Sequence, residues 1–334
     1  MFKNKILLIT GGTGSFGRSF TKFLLKFNPA FRKIIIFSRD EFKQHSFFEE
    51  LRKLKFKNLK KIRFILGDVR DKERVKIALN DVDYVVHAAA LKQVPVAEYN
   101  PIEFVNTNIL GAQNLIEACY VSKIKKIIAL STDKAVAPKN FYGATKLCSD
   151  KLFISANNII GKKKTIFSVV RYGNVDGSRG SVLPLFLSLN NERKSLPVTS
   201  LSMTRFSISM SEAIDLVFNA LKTSIGGEVY IPKLPSYSLQ TLIKAINPHK
   251  GYHVIGKRHG EKLHEELVTY EESEDIFDLK KYYILFSSNL LSDRSKKFMQ
   301  KMKKFKSKKP FSYNSNENKR LSVPELKKLI KKFD

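Results

Sequence analysis

Along the first half of the chain, short runs of Ile, Val and Leu alternate with stretches whose apolar residues recur every three to four positions. The short runs fall at residues 6–10, 33–37, 63–66, 84–87, 126–130 and 165–170. Runs that are apolar on both sides, each followed by an amphipathic helix, are what a parallel sheet covered on both faces demands. The expected fold is therefore α/β, a Rossmann-type doubly wound parallel sheet. Right-handed crossovers bring the carboxyl ends of all six strands to one edge, where ligands bind at the reversal in strand order. Residues that follow strands are the ones to search for chemistry.

Beyond residue 176 the alternation weakens. Gly, Pro and Ser collect at 177–184 and 232–236, which predicts a smaller α/β substrate lobe. Ala213, Leu216, Val217 and Leu221 keep helical spacing, so a helix over 211–223 is expected to return to the first domain. The division is then discontinuous: residues 1–175 and 205–230 form the dinucleotide-binding domain, and 176–204 with 231–290 form the lobe. Residues 291–334 form a basic C-terminal segment that packs on or near the lobe. It ends in a short helix from Pro324, with Ser322 as its cap.

With 334 residues and 43% hydrophobic content the chain can bury a large core. No apolar run approaches the roughly 20 residues of a membrane helix, and the run at 6–10 leads into glycines, unlike a cleavable signal. A soluble cytoplasmic chain with no membrane partner is expected. The formal net charge of +29 would point to nucleic acid if it were gathered in one motif. The lysines are instead spread through every segment, densest over 294–309, with no nucleic-acid-binding signature beside them. The expectation is a solvated surface that attracts phosphates, and no nucleic-acid partner. Cys119 and Cys148 stand in helical patterns and are expected as buried free thiols, with neither a disulfide framework nor a metal site.

The first expected strand runs into Gly11-Gly12-Thr13-Gly14-Ser15-Phe16-Gly17 and then a helical stretch over 18–26. Glycine lets the backbone turn tightly and approach a pyrophosphate, and the helix N-terminus adds partial positive charge. Between a strand and a helix, this G-x-x-G-x-x-G spacing predicts a dinucleotide site built from Gly11, Thr13, Gly14, Ser15, Phe16 and Gly17. After the second strand stand Ser38, Arg39 and Asp40, with Lys43 one turn on. A ribose 2′-hydroxyl calls for an acid there and a 2′-phosphate for a cation. Arg39 can fork two hydrogen bonds onto phosphate, with Ser38 and Lys43 beside it, so NADP is the expected cofactor, while Asp40 keeps NAD open. Asp68, next to Val69, is expected to accept a hydrogen bond from the adenine amino group; its alternative role is to cap the helix that follows. Ala88, Ala89 and Ala90 after the fourth strand leave room for a cofactor to lie flat.

Tyr142 and Lys146 stand four apart, on one face of an expected helix. A nearby ammonium lowers a phenol's pKa, so the pair can act as a general base on a hydroxyl. It follows a strand that ends Leu130-Ser131-Thr132-Asp133-Lys134. The set resembles the extended short-chain dehydrogenase/reductases that act on nucleotide sugars, and within them the inverting UDP-N-acetylglucosamine 4,6-dehydratases of pseudaminic acid synthesis. The likeness spans Gly11 to Gly17, Ser38 to Glu41, Gly67 to Asp71, Ala88 to Pro95, Ser131 to Ala135, Tyr142 to Lys146, Arg171 to Gly180, Met203 to Phe206 and Gly260 to Glu265. Asp133-Lys134 is its specific part, since reductases and epimerases of this fold ordinarily lack an acid and a base side by side there. Asp176 departs from the pattern, standing where the family carries an apolar residue near the nicotinamide.

The resemblance implies oxidation at sugar C4, loss of water across C5–C6, and return of the hydride to C6. It assigns Tyr142 to the C4 hydroxyl with Lys146 behind it, Thr132 to the C4 oxygen, Lys134 as base at C5 and Asp133 as acid on the C6 hydroxyl. For Lys134 to serve as a base, burial or Lys146 has to depress its pKa. The resemblance further implies that Lys92 and Asn174 contact the sugar or diphosphate, that Arg205 and Arg258 clamp the diphosphate, and that Glu261 holds a ribose hydroxyl. His264 is read as an ordinary packing residue on a helical stretch. A nucleotide-sugar substrate and a homo-oligomer are the expected partners. A 4-epimerase, a GDP-sugar dehydratase and a non-catalytic nucleotide-binding module are the competing readings.

Overall fold

A computed structural model describes residues 1–27, 30–159, 165–178, 180–286 and 293–332. The expected lobe boundary at residues 290 and 291 lies outside these. The six expected strands form as β1 Ile6–Thr10, β2 Lys33–Ser38, β3 Ile62–Leu66, β4 Tyr84–His87, β5 Lys126–Thr132 and β6 Ile166–Tyr172. They lie in the order β3-β2-β1-β4-β5-β6 and all pair in parallel. The sheet then continues past the expected six. Glu228–Pro232 pairs in parallel with β6, and Tyr282–Phe286 and Ile276–Asp278 close that edge by antiparallel pairing. Residues 276–286, read from sequence as part of the substrate lobe, therefore extend the main sheet. The apolar pair Ile276-Phe277 and the continuous apolar run Tyr282–Phe286 fit an edge strand as well as a separate lobe, so sequence alone does not separate the two.

Every residue of β1 is buried. That burial explains why the run is purely aliphatic up to Thr10: helices cover both faces, so no position faces water. The helix Ser15–Phe27 carries Phe16, Phe20, Phe23 and Phe27 on one stripe, each ring stacked on the next. Phe218 of the helix Met210–Thr223 packs edge-on to Phe23 and Phe27 at 5.4 and 5.6 Å. This contact sets the returning helix against the first one, and the capping box of Ser209 and Glu212 starts it.

A second apolar cluster joins Leu183, Phe186, Leu196, Val198 and Met203 to Tyr237 and Leu242 and to Leu326 and Ile330. The C-terminal helix Val323–Ile330 closes this cluster, with Ser322 capping it by a box with Glu325. Cys119 is buried, but Cys148 is exposed. The helix Phe141–Ile159 turns Tyr142, Thr145, Ser149 and Phe153 inward, which leaves position 148 outside.

Candidate active site

Strand order reverses between β1 and β4, so the crevice beyond their carboxyl ends is where a ligand enters a sheet of this kind. The glycine loop leaves β1 at that point. Gly11 has φ +63°, and a Cβ there would come within 2.8 Å of the Ala88 carbonyl. At Gly17 a Cβ would stand 2.5 Å from Gly12 Cα. The loop is thus folded against itself and against Ala88 in a way only glycine allows, leaving Ser15 and Phe16 at the amino end of the helix. Thr10 Oγ1 and His87 Nδ1, 2.8 Å apart, tie the two strand ends together beneath it. Gly11, Gly14, Gly17 and Ala88 to Ala90 line a cavity of about 960 Å³, a size and lining suited to a dinucleotide with a second ligand beside it. Thr13 in the loop and Val69 after β3 are buried, and neither lines the cavity.

Ser38, Arg39, Lys43 and Asp68 stand at or just after the carboxyl ends of β2 and β3 and do not line this cavity. Arg39 is half-exposed and 3.6 Å from Asp68, and Lys43 pairs with Asp40 at 2.6 Å. Asp68 also accepts from Arg70, whose pairing with Arg39's outweighs the upward push of burial and holds the carboxyl below its usual range. Asp71, not Asp68, caps the following helix by accepting from Arg74 N. Gln44, not singled out in the sequence, donates to Ser38 O, Ser38 Oγ and Ile65 O and so fixes the ends of β2 and β3. Its signal was slight: a buried amide in the first turn after a strand.

The chain leaves β5 in a single tight turn, Asp133–Ala135. Thr132 caps that turn, and Gly143 allows it to meet the helix Phe141–Ile159 directly, since a Cβ at 143 would stand 2.2 Å from Lys134 O. Thr132, Lys134, Tyr142 and Lys146 all line the cavity. Asp133 does not: it is wholly buried behind them. Its Oδ1 accepts from Thr132 Oγ1 at 2.9 Å and from Lys134 Nζ at 3.1 Å, while Oδ2 has no hydrogen-bond partner among the described residues. Lys134 Nζ also donates to Asn174 Oδ1 at 3.0 Å and stands 3.3 Å from Glu265 Oε1.

Two electrostatic expectations are corrected here. Burial alone would depress Lys134, but the Asp133 and Glu265 carboxylates outweigh it and raise the lysine above its ordinary value, so it is an ammonium in the free protein. Burial pushes Tyr142 up to about 12, with the Lys134 ammonium pulling the other way. Lys146 is itself lowered by burial, and its Nζ donates to Leu130 O at 2.8 Å. Burial also raises Asp133, helped by the like charge of Glu265 and opposed by Lys134.

Lys92, Asn174, Arg205, Arg258 and Glu261 line the same cavity. Arg205 is buried. It donates to Thr204 O, and Glu261 and Glu265 stand 3.6 and 3.7 Å from it. Arg258 is exposed, with its backbone N–H directed at Glu261. His264 lies on an isolated bridge to Thr204 and shares a 2.9 Å hydrogen bond with its hydroxyl, where the sequence reading placed a helix. Among the described residues no three His, Cys, Asp or Glu side chains stand close enough to hold a metal. The buried Glu265 and Lys262, both on the cavity wall, went unassigned in the sequence.

Asp176 turns away from the cavity and accepts from Ser207 Oγ at 2.6 Å. Burial raises its pKa to about 7. The folded state therefore holds a proton that the unfolded chain releases near 4, so stability falls as pH rises from about 4 to 7. Asp176→Asn keeps the acceptor and removes the titration. Its stability relative to the parent is expected to be unchanged near pH 4 and greater by about 1–3 kcal/mol at pH 8, measured by urea unfolding. A constant difference across that window would reject this account of Asp176.

A family profile described as Polysaccharide biosynthesis protein matches residues 7–287. The chain is 50% identical over 324 residues to a protein of Campylobacter jejuni named UDP-N-acetylglucosamine 4,6-dehydratase (inverting), covering 95% of this chain and 94% of the relative. It is 43% identical over 340 residues to a protein of Rickettsia bellii named UDP-glucose 4-epimerase, covering 100% and 97%. Among solved structures, Pen from Bacillus thuringiensis superposes with a TM-score of 0.87 at 38% identity, covering 99% of each chain. The fold alone is shared with the dTDP-glucose 4,6-dehydratase DesIV of Streptomyces venezuelae, at a TM-score of 0.67 and 21% identity over 77% of this chain and 86% of that one. A match that takes in the glycine loop, the Asp133 turn and the Tyr142 helix together makes this chain a member of the polysaccharide biosynthesis protein family of extended short-chain dehydrogenase/reductases.

Proposed function

We propose that this protein is an NADP-dependent 4,6-dehydratase of UDP-N-acetylglucosamine that inverts C5, acting in the cytoplasm at the first step of pseudaminic acid synthesis. The observation that carries this reading is Asp133 bonded to Lys134 at the cavity wall beside Tyr142, because an enzyme that only moves hydride on and off C4 has no use for a second acid–base pair. The 50% identical relative supports the same substrate. The Rickettsia relative supports a second reading, a UDP-sugar 4-epimerase.

A nicotinamide held between the glycine loop and the Tyr142 helix would supply the acceptor for the C4 hydride and the donor that returns it at C6. The chain moves the protons. Tyr142 accepts the C4 hydroxyl proton, with Lys134 as the nearby cation that favours the phenolate and Lys146 one helical turn on. The new ketone acidifies the C5 hydrogen. Lys134 takes that proton only after releasing its own, and Asp133, 3.1 Å away, is the acceptor. One transfer from Nζ to the carboxylate makes a neutral amine and a carboxylic acid together, the base for C5 and the acid for the C6 hydroxyl. Since Asp133 is enclosed, its proton reaches the C6 oxygen through Thr132 Oγ1 or Lys134 Nζ, the two groups bonded to it. Water leaves, and Tyr142, now carrying the C4 hydroxyl proton, gives it to C5 from the opposite face, which inverts C5 and restores the phenolate.

Arg205 and Arg258 are the proposed diphosphate clamps, Glu261 the ribose contact, and Lys92 and Asn174 the sugar contacts. The glycine loop with Thr13, Ser15 and Phe16 would hold the pyrophosphate, Asp68 and Val69 the adenine, and Ser38, Arg39 and Lys43 the 2′-phosphate. Exposed Val96, Tyr99, Ile102 and Leu110 support a homo-oligomer. Arg39→Met is expected to weaken NADP binding by roughly 10- to 100-fold and leave NAD binding within about 3-fold, as measured by calorimetry. Equal losses for both cofactors would remove Arg39 from the 2′-phosphate site.

The function is tested by following UDP-N-acetylglucosamine in heavy water by proton NMR, with no added reductant. A 4-keto, 6-deoxy product with deuterium at C5 and altered C5 coupling is the expected result. A C4 epimer alone would give the second reading.

A further inference from the structure

Glu265 is almost fully buried, yet its carboxylate touches two cations of different purpose. Its Oε1 stands 3.3 Å from Lys134 Nζ and 3.7 Å from Arg205 Nε. Its Oε2 is buried with no hydrogen-bond partner among the described residues. The backbone on either side is pinned. Glu265 N donates to Ser315 Oγ, and Ser315 N donates back to Glu265 O, so the C-terminal segment fixes the residue in the cavity wall. A buried charge held this rigidly, with one oxygen shared between two cations, is costly unless its position is used.

We propose that Glu265 is a positioning residue that couples the diphosphate-binding guanidinium of Arg205 to the Asp133–Lys134 pair. The proposal rests on the dehydratase reading for what Lys134 does, but not for the contact between Glu265 and Arg205. In the free protein one carboxylate oxygen serves both cations. A diphosphate that engages Arg205 competes for that guanidinium and leaves Glu265 to Lys134 alone, holding Nζ between Asp133, Asn174 and itself. Substrate binding and the readiness of the acid–base pair are linked through a single oxygen. The charges that face this group are Asp133 and Lys134 from the β5 turn, Arg205 from its strand, and Glu261 and Lys262 from the loop before Glu265. Tyr142, Tyr237, Lys92 and His264 complete the ionisable surroundings.

Removing the charge but not the shape gives a signed result. In Glu265→Gln, Lys134 loses an anion and Asp133 loses a like charge, so both titrate at lower pH. The base must be deprotonated and the acid protonated, so both limbs of the kcat profile are expected to move down by on the order of one pH unit. With a negative charge gone from beside Arg205, UDP is expected to bind on the order of 5-fold more tightly, measured by calorimetry on the full chain. Glu265→Asp keeps the charge and is expected to keep the wild-type profile and, within about 2-fold, the wild-type UDP affinity.

A residue that only supports the fold would lower melting temperature and kcat without moving the pH limbs or tightening UDP. Glu265→Gln with wild-type profile and UDP affinity overturns the proposal. So does Glu265→Asp shifting as far as Glu265→Gln. If the wild-type protein does not dehydrate the sugar, the dehydratase reading fails by itself, and UDP affinity in the three proteins still decides the coupling to Arg205.

Discussion

Tyr142→Phe is expected to lower dehydration by about 10³-fold or more while NADP and UDP bind within a few-fold of wild type. The phenol stands on the cavity wall with Thr132, Lys134 and Lys146, and the Lys134 ammonium pulls it toward the phenolate. Oxidation at C4 precedes everything else, because C5 is not acidic until the ketone exists. Loss of the phenol therefore stops deuterium entry at C5 as well as loss of water, although Asp133 and Lys134 are untouched. The phenylalanine ring fills the same apolar contact with Phe104, so the fold stays. The measurement is deuterium incorporation and product formation in the same NMR tube. C5 exchange that persists in Tyr142→Phe would mean the ketone forms without Tyr142 and would move the role of C4 base elsewhere. The pH dependence carries a sign too. Burial holds the phenol near 12 in the free protein, so activity should rise with pH through the neutral range wherever Tyr142 limits the rate.

The sheet was legible because a strand covered on both faces has no polar position until it ends; β1 breaks its aliphatic run only at Thr10, where the crevice begins. The glycine loop was legible because its spacing answers to steric contacts at Gly11 and Gly17 that no other residue tolerates. The edge at Tyr282–Phe286 was not, since a continuous apolar run fits either of two sheets and only the antiparallel partner decides. At the site, residue types could be read but their charge states could not. Lys134 was expected to be neutralised by burial or by Lys146, and instead Asp133, joined by Glu265 more than a hundred residues away in sequence, holds it protonated. Nothing in the spacing of Asp133 and Lys134 announces a third partner. Asp176 shows the converse: its odd identity was visible in the sequence, but its distance from the cavity and its bond to Ser207 were not.

The second large effect separates the two halves of the acid–base pair. Lys134→Gln is expected to abolish both C5 exchange and water loss, by about 10³-fold or more, because it removes the proposed base for the C5 proton. It also leaves Asp133 and Glu265 buried without the cation they share, which costs about 3–5 kcal/mol of stability at neutral pH. The sign of the pH dependence follows. Carboxylates deprived of their cation have raised folded-state pKa values, so the deficit shrinks as pH falls and they take up protons, and it is largest above pH 7. Asp133→Asn tests the transfer of the lysine proton. The asparagine can still accept a hydrogen bond from Nζ but cannot take its proton, so Lys134 stays an ammonium, and C5 exchange is expected to fall with water loss, each by roughly 10²- to 10³-fold. If Asp133 were only the acid for the C6 hydroxyl, C5 exchange would continue at the wild-type rate while water loss stopped, and the single-transfer account of how this pair prepares base and acid together would be wrong.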